Sequence, residues 1–536
     1  MTPAAPSMQR VQGLGIWNIY FCIVLMLDWQ GRILLQPVAN ALLAAALLVP
    51  LASIRARRLR QCVAIPAGTA LLYHETWLPP ISRLRDESSV FHFSADYLAD
   101  IALRFVNWQL LAAMALIALG YMLLKPWLRI TTVSLAGLAW LLCLQIPPPS
   151  WVRATSDRGE TRIGTGSNTP ASHPEDLNAK LQQFYEKESQ RVTRFPAAAA
   201  TAQPFDVLIV NICSMAWDDL DAVGLQNHPL FKKMDVVFDN FNSATSYSGP
   251  AAIRILRASC GQTSHQTLYQ DAPSGCYLFD NLRKLGFDTE LALNHDGHFD
   301  GFIDDIHEQG QLKSTPFAIN DLPRALVAFD GSPIRDDGQV LGHWWQHRLA
   351  SPVARTALFY NTITMHDGNR EILSNGDSRP AGYAPRASRL LDELSTLVDT
   401  IQRSGRKVVL IILPEHGAGL RGDRIQMPGL REIPTPVITH IPAAVKLINM
   451  TADTPHQPMQ IKSPSSFLAI SELLSRLYRQ SLILPPNYDL STLLDQLPET
   501  APVSDSGAAT VIQSAGRPWV RMKGETDWTP YPSAAP

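Results

Sequence analysis

Long apolar runs crowd into residues 1–150 of this 536-residue chain and are scarce beyond them. Repeated in close succession, such runs read as membrane-spanning helices rather than as the core of a soluble domain. Spans are read near Ile16–Leu27, Ile33–Ile54, Cys62–Leu78, Ile101–Leu124 and Ile130–Ile146, so residues 1–150 are expected to form an α-helical membrane domain of about five transmembrane helices. Further spans follow the first and no small-residue cleavage site stands out, which argues against a removed signal peptide. Arg55, Arg57, Arg58 and Arg60 fall between the second and third spans, and Lys125 and Arg129 between the fourth and fifth. With both basic loops cytoplasmic, the N-terminus is cytoplasmic too, and everything after Pro147 lies outside. The net charge of −2 gives no electrostatic case for a nucleic-acid partner.

Beyond the spans the pattern changes. Pro147-Pro148-Pro149 stops the last run, and residues 151–204 read as a linker. Within it, Glu175–Arg191 has helical spacing, with Leu177, Leu181, Phe184 and Tyr185 on one face. From residue 205 to about 500, β-branched runs alternate with helical segments. Val207–Ile212, Thr356–Tyr360 and Val408–Leu413 read as buried strands, and Arg386–Ser404 as a helix. Residues 501–536, rich in Ser, Ala, Pro and Thr, are expected to be a loosely ordered tail. Of the six cysteines, Cys22, Cys62 and Cys143 fall in apolar spans. Cys260 and Cys276 flank a short polar segment and are placed to pair in an oxidising compartment. Cys213 is left over, and metal binding is one account of an odd exported cysteine.

Candidate chemistry sits at strand ends and at one helix start. Cys213 ends the run Val207–Ile212 and is either a core cysteine or a thiolate metal ligand. Ser248, in Tyr247-Ser248-Gly249-Pro250, opens an apolar helix at or near its N-cap. It is either a plain cap or a hydroxyl aimed where phosphate oxygens are favoured. His366 lies in Met365-His366-Asp367-Gly368 after a strand, within range of acid–base work or simply in a surface loop. Glu415 and His416, in Pro414-Glu415-His416-Gly417, follow Val408–Leu413; an acid and an imidazole there can share one zinc ion. Arg431, in Gly429-Leu430-Arg431-Glu432, can clamp a phosphoryl oxygen if its loop folds back, and is otherwise an exposed arginine. Tyr269, Trp344, Trp345 and Tyr383 are aromatic residues that either stack on sugar rings or pack in the core. His295 and His298 form a further polar loop and stay outside the primary site.

Together these motifs resemble the alkaline-phosphatase superfamily, and within it the membrane-anchored phosphoethanolamine transferases. The resemblance covers the whole plan, from apolar spans through linker helix to hydrolase-like α/β domain. Members that modify lipid A commonly carry Glu, Thr and Asp-His-Gly where Cys213, Ser248 and Glu415-His416-Gly417 stand here. The strings Val210-Asn211-Ile212-Cys213-Ser214, Tyr247-Ser248-Gly249-Pro250, Met365-His366-Asp367-Gly368 and Pro414-Glu415-His416-Gly417 are instead similar to the cellulose-modifying branch. The resemblance implies zinc held by Cys213, Glu415 and His416 with Ser248 in the remaining position. It implies Ser248 as nucleophile on phosphatidylethanolamine, His366 as acid and then base, and Arg431 as stabiliser of the phosphoryl charge. Tyr247 either assists Arg431 or only shapes the turn. The implied acceptor is the glucose C6 hydroxyl of nascent cellulose, the implied partners are subunits of the cellulose synthase complex and the lipid bilayer, and the implied location is the bacterial inner membrane with the catalytic domain in the periplasm.

Two rival readings use the same residues. One is a periplasmic phosphodiesterase or other hydrolase on the same scaffold; a sulfatase is disfavoured because Ala252 stands where that signature requires Arg. The other is a non-catalytic membrane scaffold for the synthase complex.

Overall fold

The computed structural model describes residues 13–31, 33–51, 53–76, 93–104, 108–124, 127, 129–145, 174–450, 457–483 and 488–532. It divides into two compact units. One comprises Met1–Ile81 and Ile101–Thr169, the other Ser82–Asp100 and Pro170–Pro536.

The first unit is helical, with helices Trp17–Trp29, Pro37–Leu48, Ile54–Glu75, Trp108–Leu124 and Ile130–Gln145. They follow the expected spans, with three differences. Arg55, Arg57, Arg58 and Arg60 lie inside the helix Ile54–Glu75 rather than in a loop, because no glycine or proline falls between Ile54 and Ile65; Pro66 and Gly68 come later in the same helix. The fourth span is divided, with Ala95–Arg104 a separate helix ahead of Trp108–Leu124. No helix among the described residues is both long and apolar enough to cross a membrane. Large apolar side chains nevertheless stand exposed along these helices, among them Leu42, Val63, Leu116, Leu123, Val133 and Leu144. The expected proline stop and the linker before residue 174 lie outside the described residues.

The second unit is built on a seven-stranded sheet. Its strands are β1 (Asp206–Ile212), β2 (Val236–Phe238), β3 (Asp288–Leu293), β4 (Thr356–Thr362), β5 (Val408–Ile412), β6 (Ala444–Ile448) and β7 (Met459–Ile461). Their order is β7-β2-β6-β5-β1-β4-β3. The middle is parallel, β5-β1-β4-β3, while β6 runs antiparallel to both β5 and β2. Every residue of β1, β4 and β5 is buried, and this is why their sequences are continuous apolar runs. The two faces divide by period two. Val207 and Ile209 enter one core, with Ile255, Phe279 and Leu473; Leu208, Val210 and Ile212 enter the other, with Trp344, Leu390 and Leu394. At the start of β1, the fully buried Asp206 accepts two hydrogen bonds from the equally buried Arg348, at 2.9 and 3.1 Å, and a third from Arg406.

Two expectations are corrected here. The compact unit begins at Pro170 and not near 205, and it includes Ser82–Asp100. The tail is not loose. Val503–Asp505 (β8), Ala509–Ser514 (β9), Arg517–Met522 (β10) and Thr529–Pro530 (β11) form a four-stranded antiparallel sheet. It is stabilised by the apolar face of the helix Pro174–Ser189, where Leu177, Leu181 and Phe184 pack with Val503, Ile512, Trp519 and Trp528. The polar composition concealed short strands whose burial depends on distant partners, all of β8 and all of β9 except Gln513 being buried. Cys260 and Cys276 form a disulfide.

Candidate functional site

The parallel strands deliver the chemistry to one end of the sheet. β1 leads directly into Cys213, β5 leads through Leu413 and Pro414 into Glu415-His416, and β4 leads from Thr362 to His366. Register fixes the approach, since Val210 lies opposite Ile412 and Asn211 opposite Asn361. Backbone bonds then tie the loops together. Glu415 N donates to Ile212 O at 2.9 Å and Met215 N to His416 O at 2.6 Å. Gly417 is required sterically, because a Cβ there would stand 2.7 Å from the Ala216 Cβ and 2.8 Å from Asp219 Oδ2. Asp219 accepts bonds from the backbone N–H groups of Ala216, Ala418 and Leu420, fixing both loops at once. Ser214 holds a left-handed backbone (φ 61°), kept there by Tyr383 Oη donating to its carbonyl at 2.8 Å.

Cys213, Glu415 and His416 are fully buried, and their ligand atoms lie within 4.8 Å of one another. Glu415 Oε2 and His416 Nε2 have no hydrogen-bond partner. Two orphaned buried atoms facing a thiol are what a divalent cation would satisfy, and a set of S, O and N donors suits zinc. Burial, and then Glu415, push the Cys213 thiol up to about 12, so without a cation it is protonated. Burial, and then Arg431, hold His416 well below the usual imidazole range. Burial likewise raises the Glu415 carboxyl. With Nε2 the free atom of His416, Nδ1 carries the proton and donates to Gly417 O at 2.9 Å. Arg431 Nη1 lies 3.1 Å from that Nδ1 but finds its acceptor in Ser214 Oγ, at 2.8 Å.

Ser248 is the first residue of the helix Ser248–Leu256, and Tyr247, not Ser248, occupies the N-cap. The serine hydroxyl is therefore not used as a cap, and it lies 3.4 Å from Cys213 Sγ. Tyr247 Oη donates to Glu432 Oε2 at 2.9 Å, which pins the turn ahead of the helix. His366 Nδ1 lies 2.6 Å from Asp367 O and donates to it, leaving Nε2 as the basic atom. Desolvation, and then Arg431, push His366 down to about 4.

These groups line one cavity of about 350 Å³ containing Ser248, Tyr247, His366, His416 and Arg431. Aromatic residues Phe93, Tyr97, Phe299 and Phe329 form another wall, and Asp300 and Asp305 make the rim acidic. Burial, followed by repulsion from Asp300, Asp304 and Glu308, raises Asp305 to about 6. A larger surface groove of about 550 Å³ between helices Asp337–Ala350 and Tyr383–Arg403 contains none of the candidate residues.

All seven candidates, Cys213, Tyr247, Ser248, His366, Glu415, His416 and Arg431, thus fall in or beside one cavity. Of the aromatic candidates, Tyr269 lines it, whereas Trp344 and Trp345 are core residues and Tyr383 supports Ser214. Sequence reasoning passed over Asn361, whose Nδ2 donates to Glu415 Oε1 and to Asn211 Oδ1, both at 2.7 Å. It also set aside His295, whose Nε2 donates to Asn361 Oδ1 at 2.8 Å while Nδ1 accepts from Gly297 N. The available signal was two asparagines at the ends of adjacent apolar strands. Phe93, Tyr97, Phe329 and Gly507 of the supposed tail had no such signal.

The family description "Cellulose biosynthesis protein BcsG C-terminal domain" matches residues 164–528, and the corresponding N-terminal domain matches residues 17–143. The cellulose biosynthesis protein BcsG of Escherichia coli K12 is 44% identical, covering 98% of this chain and 97% of that protein. Its Salmonella typhimurium counterpart is 42% identical over 99% of each. Similar solved structures include the C-terminal periplasmic domain of EptC from Escherichia coli, at 15% identity and TM-score 0.44, covering 64% of this chain and 97% of that one. Another is the lipooligosaccharide phosphoethanolamine transferase EptA from Neisseria meningitidis, at 12% identity and TM-score 0.40, covering 85% and 94%. With matches along nearly its whole length and relatives above 40% identity, this chain belongs to the BcsG family of cellulose biosynthesis proteins.

Proposed function

We propose that this protein transfers phosphoethanolamine from phosphatidylethanolamine to glucose C6 hydroxyls of nascent cellulose through a phospho-Ser248 intermediate. The observation that carries the reading is Ser248 Oγ at 3.4 Å from Cys213 Sγ, beside the orphaned atoms of Glu415 and His416. Zinc, held by Cys213, Glu415 and His416, would lower the pKa of the Ser248 hydroxyl and draw charge from phosphoryl oxygens. The thiolate favours zinc over manganese.

Ser248 Oγ forms a bond to phosphorus as the phosphorus–glycerol oxygen bond breaks. The serine proton passes by way of His366 to the departing diacylglycerol. In the second half the acceptor hydroxyl attacks phosphorus and its proton goes to His366, then to the released Ser248. The low pKa of His366 keeps the imidazole neutral, the form that accepts the acceptor proton. Arg431, fixed on Ser214 Oγ, faces the charge that develops on phosphorus-bound oxygens. Tyr247 shapes the turn beneath the nucleophile. The acidic rim of Asp300 and Asp305 suits the ammonium end of the donor. Cellulose as acceptor is supported by the family name and by the cysteine, serine and glutamate that set this branch apart.

The exposed apolar side chains of the helical unit support a multi-pass anchor in the bacterial inner membrane, with the second unit in the periplasm. There the donor headgroup is concentrated at the surface and the synthase subunits are within reach. The test uses the full chain in phosphatidylethanolamine vesicles and reads its intact mass. The expected result is a phosphoethanolamine adduct on Ser248 that is lost in Ser248→Ala and discharged by cello-oligosaccharide. Free phosphoethanolamine without an acceptor product would favour the hydrolase; no adduct, with cellulose output lost in Ser248→Ala, would favour the scaffold.

A further inference from the structure

The catalytic cavity is walled in part by a segment from far back in the chain. Phe93 and the helix Ala95–Arg104 follow the third apolar run, yet residues up to Asp100 belong to the catalytic unit. Tyr97 is 7% exposed. Its hydroxyl donates to Asp367 Oδ2 at 3.1 Å. Its ring lies against Gly368, where a Cβ would meet the ring at 2.5 Å and where φ is +79°. One turn on, Arg370 reaches Asp100 Oδ2 at 3.3 Å and Asp96 Oδ2 at 3.8 Å. Upstream, Ser94 N donates to Phe329 O at 3.0 Å, and Phe93 packs edge-on to Phe329 at 5.7 Å. Phe329 in turn stacks on the His366 imidazole at 4.1 Å and 27°. The loop 366–370 is therefore gripped from two sides by one stretch of eight residues, Phe93–Asp100, directly through Asp367, Gly368 and Arg370 and indirectly through Phe329.

We infer that Phe93–Asp100 is a strut of the catalytic site that positions the His366 loop for proton transfer, with Tyr97 its principal positioning residue. The inference rests on the transferase reading for the role of His366. The loop backbone is also held by Arg386 Nη1 donating to His366 O at 2.9 Å, by Asn369 Nδ2 donating to Ile363 O at 2.7 Å, and by the pairing of Arg370 in a short sheet. Tyr97 adds the contacts at the Asp367 carboxylate and the face of Gly368, between those anchors, while His366 must expose Nε2 to the cavity with Nδ1 occupied. Loss of the ring on Gly368 leaves a cavity into which the loop relaxes, and a displacement of about 1 Å costs on the order of 10²-fold in rate.

The test compares two donors with the full chain in lipid vesicles. Phosphatidylethanolamine has a poor leaving group that needs a proton; p-nitrophenyl phosphoethanolamine has a good one that does not. Tyr97→Ala should lower kcat for the lipid donor by about 10- to 100-fold with KM little changed, and should lower formation of phospho-Ser248 from the nitrophenyl donor by less than about 3-fold. Tyr97→Phe, which keeps the ring and loses the bond to Asp367, should recover most of the lost rate. Arg370→Asp should lower the lipid-donor rate as Tyr97→Ala does, and adding Asp96→Arg and Asp100→Arg to it should recover part of the loss, the bonds from Arg370 to Ser378 being missing in both. Equal losses with both donors at unchanged zinc content, or full activity of Tyr97→Ala, would overturn the strut. If the parent protein formed no adduct on Ser248 from either donor, the transferase reading itself would fall, which is a separate outcome.

Discussion

The two poles of the catalytic cavity are built on opposite plans. At the candidate metal-binding pole, Cys213 is the first residue past β1, Glu415 and His416 are the third and fourth past β5, and backbone bonds from Glu415 N to Ile212 O and from Met215 N to His416 O tie the two strand ends together. At the acid–base pole, His366 stands in a loop held by side chains from Phe93–Asp100 and by Phe329. Strand ends inherit the rigidity of the sheet, so ligand atoms can be held within a few tenths of an ångström without further support. A loop needs packing from outside itself. A cation tolerates little spread in ligand distance, and an imidazole that serves two oxygens in turn depends on this outside packing for its place.

The largest effect should come from the strand-end pole. Ser248→Ala is expected to remove at least about 10³-fold of the transfer rate while zinc content stays near one equivalent, measured by elemental analysis beside the lipid assay. Activity above that residual level would mean that nucleophile and ligands do not form one centre. Next comes the sheet that carries this pole. Asp206→Ala leaves Arg348 buried without its carboxylate, and should cost about 3–5 kcal/mol in reversible denaturation. A cost below about 1 kcal/mol would mean that the strand ends do not depend on that clamp.

The comparison also explains what could be read from the chain alone. The candidate metal ligands were legible because an unbroken apolar run announces a buried strand, and the residues just past its end have few places to go. Val408–Ile412 followed by Glu415-His416 is such a case. The parallel centre of the sheet was legible for the same reason. The loop support was not, because Tyr97 and Asp367 are separated by 270 positions and neither belongs to a periodic pattern. The C-terminal sheet was missed on the same ground. Its Trp519 and Trp528 look isolated until the helix Pro174–Ser189 supplies the surface they cover.

Two smaller effects sharpen the contrast. Arg431 opposes protonation of His366, so Arg431→Gln should raise the imidazole pKa. Because the second half-reaction needs the neutral ring, the acid limb of kcat should move from about 4 to higher pH, whatever the overall rate becomes. A limb that stays in place would detach Arg431 from the acid–base pole. At the other pole, the Cys213 thiol is raised to about 12 without a cation, so zinc capture must expel its proton. Calorimetry in two buffers of different ionisation enthalpy should show proton release, and zinc affinity should strengthen as pH rises.

The division of the chain has a practical consequence for anyone recombining it. Because the second unit takes in Ser82–Asp100 from between the apolar helices, it cannot be transplanted as a single cassette. A chimera cut only at 169/170 would leave the borrowed piece with its old host, whereas one spliced at 81/82, 100/101 and 169/170 would carry the complete working part across.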